Sequence, residues 1–159
     1  IDTDFFGVIG GCGAARAGRE TTWINEKIRK LYFDLYDLGH CHTVECWRDG
    51  QLVGGLYGVA LGSAFFGESM FSYETDASKV ALVHLAGRLI AGGFTLLDCQ
   101  FVTEHLRQFG TVEIDRTEFH KLLDTALATV ADFNALPKVT GGAEVLDLVK
   151  RAGAAGKSP

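Results

Sequence analysis

Asp98 and Gln100 stand two positions apart in Thr95-Leu96-Leu97-Asp98-Cys99-Gln100-Phe101, an otherwise largely apolar run. Read as a strand, that spacing sends both side chains to one face. Burying an unpaired carboxylate is costly, so the pair needs a cavity, a partner or a ligand. Two readings stand: a satisfied buried polar pair, or a reaction centre near the end of a central strand. Glu68 poses the same alternative within Phe65-Phe66-Gly67-Glu68-Ser69-Met70-Phe71. Lys79 could neutralise Glu68 or Asp98, although a solvated lysine is the simpler account. His40, His42, His84, His105 and His120 show no metal-ligand spacing. His42 and Glu45 fall on opposite faces of one strand, so no metal site is expected. There is no G-x-S-x-G elbow and no evident Ser-His-Asp arrangement.

The elements that must position these residues follow from periodicity. Residues 10–22, rich in Gly, Ala and Arg, read as an exposed loop. From Trp23 to Leu38, the residues Ile24, Ile28, Leu31, Leu35 and Leu38 recur at helical spacing, and Gly39 suits the position just past the end. Alternation over 42–47, the Asp49-Gly50 hairpin signal and the runs Leu52–Leu61 and Ala64–Phe71 give an antiparallel meander. Its glycines mark bulges or close approaches. Asp76 is a candidate N-cap for a helix over Ala77–Ala91, apolar nearly all round and so expected to pack on two sides. Phe94–Phe101 reads as a buried strand, Thr103–Phe109 as a short helix and Thr111–Ile114 as a further strand. Asp115 and Glu118 have capping-box spacing and open a helix whose apolar positions run from Phe119 to Phe133. Past Pro137 the chain reads as a tail with a short helix near Glu144–Lys150. This order fits a mixed α/β sheet layered with helices. It is also the general order of the N-acetyltransferase superfamily's fold, an analogy that carries no chemistry by itself.

The chain has 159 residues, 47% hydrophobic and 22% charged, with a net charge of −5. That is about one domain's worth of ordinary globular sequence, which argues against a disordered or fibrous protein. The acidic balance disfavours a strongly basic nucleic-acid binder but leaves room for a local basic patch. Cys12, Cys41, Cys46 and Cys99 form no C-x-x-C pair and read as the reduced thiols of a cytoplasmic protein. No uncharged apolar stretch reaches the roughly 18 residues that a spanning helix needs. The first residue is Ile1, and the opening Ile1–Phe6 reads like the middle of a longer protein. Acetyl-coenzyme A users of the analogous fold carry a glycine turn around the pyrophosphate. The matching stretch here, Thr75–Val80, has no glycine, and Asp76 would repel a phosphate.

A run of ordered motifs resembles the leucyl/phenylalanyl-tRNA–protein transferase family over roughly residues 4–123. They are Trp23-Ile24, Gly39-His40-Cys41-His42-Thr43-Val44-Glu45-Cys46-Trp47, Leu52-Val53-Gly54-Gly55-Leu56-Tyr57-Gly58-Val59, Phe66-Gly67-Glu68-Ser69-Met70-Phe71-Ser72, Ala77-Ser78-Lys79 and Asp98-Cys99-Gln100. The resemblance implies an α/β (α+β) catalytic domain over 1–133 with an acyl-CoA N-acetyltransferase-like (GNAT-like) mixed sheet and helices on both faces. It further implies a C-terminal extension over 134–159 and a small additional N-terminal domain upstream of Ile1. It implies transfer of Leu, Phe or Met from aminoacyl-tRNA to the α-amino group of proteins beginning with Arg or Lys, marking them for N-degron degradation. No cofactor is expected, and the partners are the aminoacyl-adenosine end of the tRNA and the protein substrate. No membrane contact is expected, and the protein is expected to be a cytoplasmic monomer. Asp98 and Gln100 match the family's catalytic pair, with Glu68 beside them. Positioning of the attacking amine suits these residues better than general base catalysis by a neutral amide. Leu56, Phe65, Met70, Ser72, Leu85 and Leu97 match the aminoacyl pocket, and Trp23 matches a residue at the terminal adenosine. Arg16 and Arg19 are candidates for tRNA phosphates. Two rivals are another aminoacyl or acyl transferase of the same fold, and a non-catalytic module that binds peptide N-termini or tRNA.

Overall fold

The computed structural model describes residues 1–15 and 21–155, so Arg16 and Arg19 lie outside the described residues. The chain runs α1 (Phe5–Gly13), α2 (Glu26–Asp37), β1 (Cys41–Arg48), β2 (Gln51–Leu61), β3 (Ala64–Ser72), α3 (Ala77–Ala91), β4 (Leu96–Asp98), α4 (Glu104–Arg107), α5 (Arg116–Leu127) and α6 (Gly142–Ala155). The strands form one mixed sheet in the order β1-β2-β3-β4. The first three are an antiparallel meander, and β4 joins parallel to β3. A parallel neighbour requires a crossover, which α3 supplies. Asp49 and Gly50, at φ 51° and 75°, supply the left-handed pair that a tight hairpin needs.

Helices cover both faces of the sheet, and neighbouring strand residues show it. Leu56 packs with Val44, Phe65, Leu82 and Leu85 in the core under α3. Tyr57, the next residue, packs with Val8, Ile9, Cys12 and Phe71 under α1. Thus α3 is sandwiched, as its apolar circumference predicts. Its second partner is α6, where a Cβ on Gly87 would stand 2.7 Å from Val145 Cγ1. Arg88, fully buried on α3, ties down the stretch before α6. Its guanidinium donates to the carbonyls of Phe133 (3.1 Å), Leu136 (2.8 Å) and Pro137 (2.6 Å).

Several elements differ from the sequence reading. Residues 10–13 are not loop but the end of α1, which Asp4 opens by accepting the Gly7 N–H at 2.8 Å. The glycines there are contact points: a Cβ on Gly11 would lie 2.7 Å from the Phe71 ring. Helix α2 starts at Glu26 rather than Trp23, because Asn25 caps it. Asp76 takes the N-cap position of α3 as expected, but its side chain makes no capping hydrogen bond. It sits at φ 63° and pairs with Lys79 at 2.7 Å, while Ser72 Oγ accepts the Ser78 N–H at 2.8 Å. The strand at 94–101 shrinks to Leu96–Asp98, and Thr111–Ile114 pairs with no strand among the described residues. Helix α5 ends at Leu127, so Phe133 enters the core from beyond it, stacked on His42 at 4.0 Å. The final helix, α6, runs well past the short one expected. Among the described residues, no helix is long and apolar enough to cross a membrane.

Candidate active site

Between the ends of β3 and β4, helix α3 and the one-turn α4 lies a cavity of about 230 Å³. Its walls are mainly apolar: Leu56, Met70, Leu82, Leu85, Leu97, Phe101 and Leu106. Glu68, Gln100, Thr103 and His105 add polar groups, and no Lys or Arg lines it among the described residues. Six positions singled out in the sequence therefore meet here: Leu56, Glu68, Met70, Leu85, Leu97 and Gln100.

Asp98 and Gln100 are not a same-face strand pair. The strand ends at Asp98, and Gln100 takes φ 60°, the left-handed region that a side chain with a Cβ seldom occupies. Asp98 holds it there, since Asp98 Oδ1 accepts the Gln100 backbone N–H at 2.8 Å. The segment 97–101 is thus a wall with two sides. Gln100 lines the apolar cavity and also an open groove of about 620 Å³ beyond it, whereas Asp98 lines the groove alone. Strain of this kind persists where surrounding contacts enforce it, often at functional sites. The Cys99 thiol between them is pushed up by burial and by the nearby Asp98 carboxylate.

Glu68 owes its position to an interruption in the ladder. Tyr57 pairs with Ser69 and Gly58 with Gly67, so Glu68 is the extra residue of a bulge on β3. Such a bulge re-aims a side chain and shifts the face alternation of the residues beyond it. This is why Phe65 joins the core under α3 while Phe71 joins the one under α1. Across from the bulge, Tyr32 on α2 lines a shallow groove together with Glu68. Burial, together with the neighbouring Glu68 carboxylate, raises the Tyr32 phenol well above its usual range. Lys79 is engaged by Asp76 rather than by Glu68 or Asp98.

The other singled-out positions lie elsewhere. Phe65 is fully buried in the core beneath the cavity, stacked on Phe133 at 5.6 Å. Ser72 caps α3. Trp23 is 51% exposed ahead of α2, edge-on to Tyr32 at 6.3 Å, and so connects to Glu68 through that tyrosine. The sequence reading missed Leu82, Leu106, Thr103 and Tyr32 at the site. The helical spacing of Leu82 and Leu85 on α3 was a usable signal for the first. His105 also lines the cavity, and its buried Nε2 makes no hydrogen bond among the described residues.

His42 and Glu45 do face opposite ways, as the strand alternation requires. His42 Nδ1 lies 2.9 Å from Asp2 Oδ2 and its ring stacks on Phe133. Glu45 accepts from the Thr3 N–H (2.8 Å), Asp4 N–H (2.9 Å), Thr43 hydroxyl (2.8 Å) and Trp47 indole (3.0 Å). These bonds serve the entry into α1 rather than chemistry. All four cysteines are free thiols, and burial pushes that of Cys41 up to about 12.

Residues 1–124 match the profile of a family described as leucyl/phenylalanyl-tRNA protein transferase. Several curated relatives carry that transferase name. The one from Nitrobacter winogradskyi is 62% identical over 151 residues, covering 94% of this chain and 67% of the relative. The one from Rhodopseudomonas palustris strain HaA2 is 57% identical over 151 residues, covering 94% and 67%. The one from Caulobacter vibrioides is 56% identical over 152 residues, covering 96% and 70%. The chain thus spans about two thirds of the length of these relatives.

Proposed function

This chain belongs to the leucyl/phenylalanyl-tRNA–protein transferase family, and from that premise we propose that it is an aminoacyltransferase that moves Leu, and also Phe or Met, from aminoacyl-tRNA to the α-amino group of proteins beginning with Arg or Lys. The product would carry a new N-terminal residue that marks it for N-degron degradation. The observation that carries this reading is the small apolar cavity with Glu68 and Gln100 among its lining. A volume of about 230 Å³ is below the roughly 300–1,000 Å³ of sites for drug-sized ligands and suits one apolar side chain. Leucyl and phenylalanyl groups differ only in apolar shape, and a hydrophobic slot discriminates weakly between them.

In this reading the aminoacyl side chain fills the space between Met70, Leu85 and Leu97, and its ester carbonyl lies near Gln100. The neutral α-amine of the acceptor attacks that carbonyl carbon. A C–N bond forms, the C–O bond to the ribose breaks, and the proton shed by nitrogen ends on the ribose oxygen, directly or through water. Gln100 is an amide and too weak a base to take that proton, so it orients the reacting groups. Asp98 is a positioning residue that fixes the Gln100 backbone. Glu68 offers a carboxylate for the cationic acceptor. Holding amine and ester in contact supplies much of the acceleration. The mixed sheet with helices on both faces supports a GNAT-like fold, and the glycine-free Thr75–Val80 stretch argues against acetyl-coenzyme A as the donor.

The reading is tested by incubating the protein with radiolabelled leucyl-tRNA and peptides beginning with Arg or with Asp. Label on the Arg peptide alone is expected. Label from acetyl-coenzyme A, with none from leucyl-tRNA, would replace this reading by an acetyltransferase of the same fold.

A further inference from the structure

The sheet ends at β4, only three residues long, and no strand pairs with its outer edge among the described residues. The groove of about 620 Å³ along that edge is lined on its other side by Thr111–Ile114. That segment has a strand's residue pattern, yet the N–H and C=O groups of Val112, Glu113 and Ile114 make no hydrogen bond within the described residues. Val112 is 72% exposed, although it is β-branched and apolar. An unpaired sheet edge and a backbone segment without hydrogen bonds among the described residues, lining one groove together, leave room for one further strand.

We propose that the missing strand is the acceptor: the first residues of the protein substrate enter this groove extended and pair through their backbone with 112–114, alongside the free edge of β4. Main-chain pairing of this kind accepts many sequences, which suits an enzyme whose substrates share only their first residue. The inference rests on the aminoacyl-transfer reading for the identity of the occupant. Continuity with the cavity supports it, because Leu97, Cys99, Gln100 and Phe101 line both spaces, so an amine leaving the groove beside Gln100 would meet the aminoacyl ester. Charge supports it as well. Asp98 lines the groove with Gln100, and one of its carboxylate oxygens makes no hydrogen bond among the described residues, a fit for a cationic leading residue. Glu113 is shared with Arg107 at 3.6 Å. Arg116, the only cation among the lining residues, stands at the start of α5 and disfavours a cationic side chain there.

The test is a nuclear magnetic resonance titration of the isotope-labelled chain with a hexapeptide beginning with Arg, beside the same peptide N-methylated at two internal amides. Shift changes and cross-strand contacts are expected at 96–98 and 112–114, with the N-methylated peptide weaker by about tenfold for the lost bonds. Kinetically, Ile114→Pro should raise KM for the peptide by a similar factor and leave KM for leucyl-tRNA unchanged, with circular dichroism confirming the fold. Perturbations confined to other surfaces, equal binding of the two peptides, or no binding would each overturn the proposal. Peptide binding at these residues without leucine transfer would instead leave the site standing and remove the transferase reading.

Discussion

At the scale of single residues, the candidate site turns on a bond that sequence spacing misread. Asp98 and Gln100 were legible as a polar pair in an apolar run, and a strand was the natural carrier. The structure instead ends the strand at Asp98 and folds its carboxylate onto the Gln100 N–H, with Gln100 at φ 60°. A left-handed non-glycine residue leaves no periodic trace, so spacing could not reveal it. The bulge at Glu68 escaped for a related reason, since one unpaired residue looks like any other until its partner strand is known. The positioning role of Asp98 separates two mechanisms. Asp98→Ala should cut kcat by roughly a hundredfold, the cost of a small misplacement of reacting groups. KM for leucyl-tRNA and the melting temperature should stay near wild type. Asp98→Asn keeps an oxygen that accepts the Gln100 N–H and should retain most of kcat, while KM for the Arg peptide rises with the lost charge. If kcat falls as far in the Asn variant as in the Ala variant, the positioning role of Asp98 falls.

At the scale of elements, the meander, α3 and the hairpin at Asp49-Gly50 were legible because each rests on local periodicity or turn chemistry. Helix α1 was not, since Gly7, Gly10, Gly11 and Gly13 lower its propensity and it depends on docking to the sheet. That docking is secured partly by Glu45, which receives the amides of Thr3 and Asp4. Burial works to raise the Glu45 carboxyl, but its hydrogen bonds prevail and hold it below its ordinary value. A carboxyl lowered on folding stabilises the protein above its unfolded pKa of about 4.3 and loses that contribution as pH falls through the folded value. Glu45→Gln should therefore lower stability at pH 7 by about 1 kcal/mol, the weight of lost charge-assisted bonds. The gap from wild type should close below about pH 4. Urea unfolding at pH 7 and pH 3 measures both, and a gap that persisted at pH 3 would show that shape rather than charge matters at Glu45.

Across the whole molecule, the fold depends on contacts between distant parts of the chain that no local pattern encodes. Phe133 reaches the core from beyond α5, and α6 closes over α3 at Gly87. Arg88 fastens the connection between them with three carbonyl bonds. Arg88→Leu strands those acceptors and should cost about 3 kcal/mol, as expected when buried partners of a charged group go unpaired. A loss under about 1 kcal/mol in urea unfolding would mean that water replaces the guanidinium there. These same contacts hold α3 in place, and Leu82 and Leu85 of α3 line the cavity on which the functional reading rests. The most direct measurement is a competition between equimolar leucyl-tRNA and phenylalanyl-tRNA for one Arg-initiated peptide, run with wild type and with Met70→Ala. Transfer of both residues by wild type is expected, with the Met70→Ala product shifted toward Phe by at least about threefold, because a shortened wall admits the larger ring. No transfer from either tRNA, or an unchanged product ratio, would contradict the assignment of this cavity as the aminoacyl pocket.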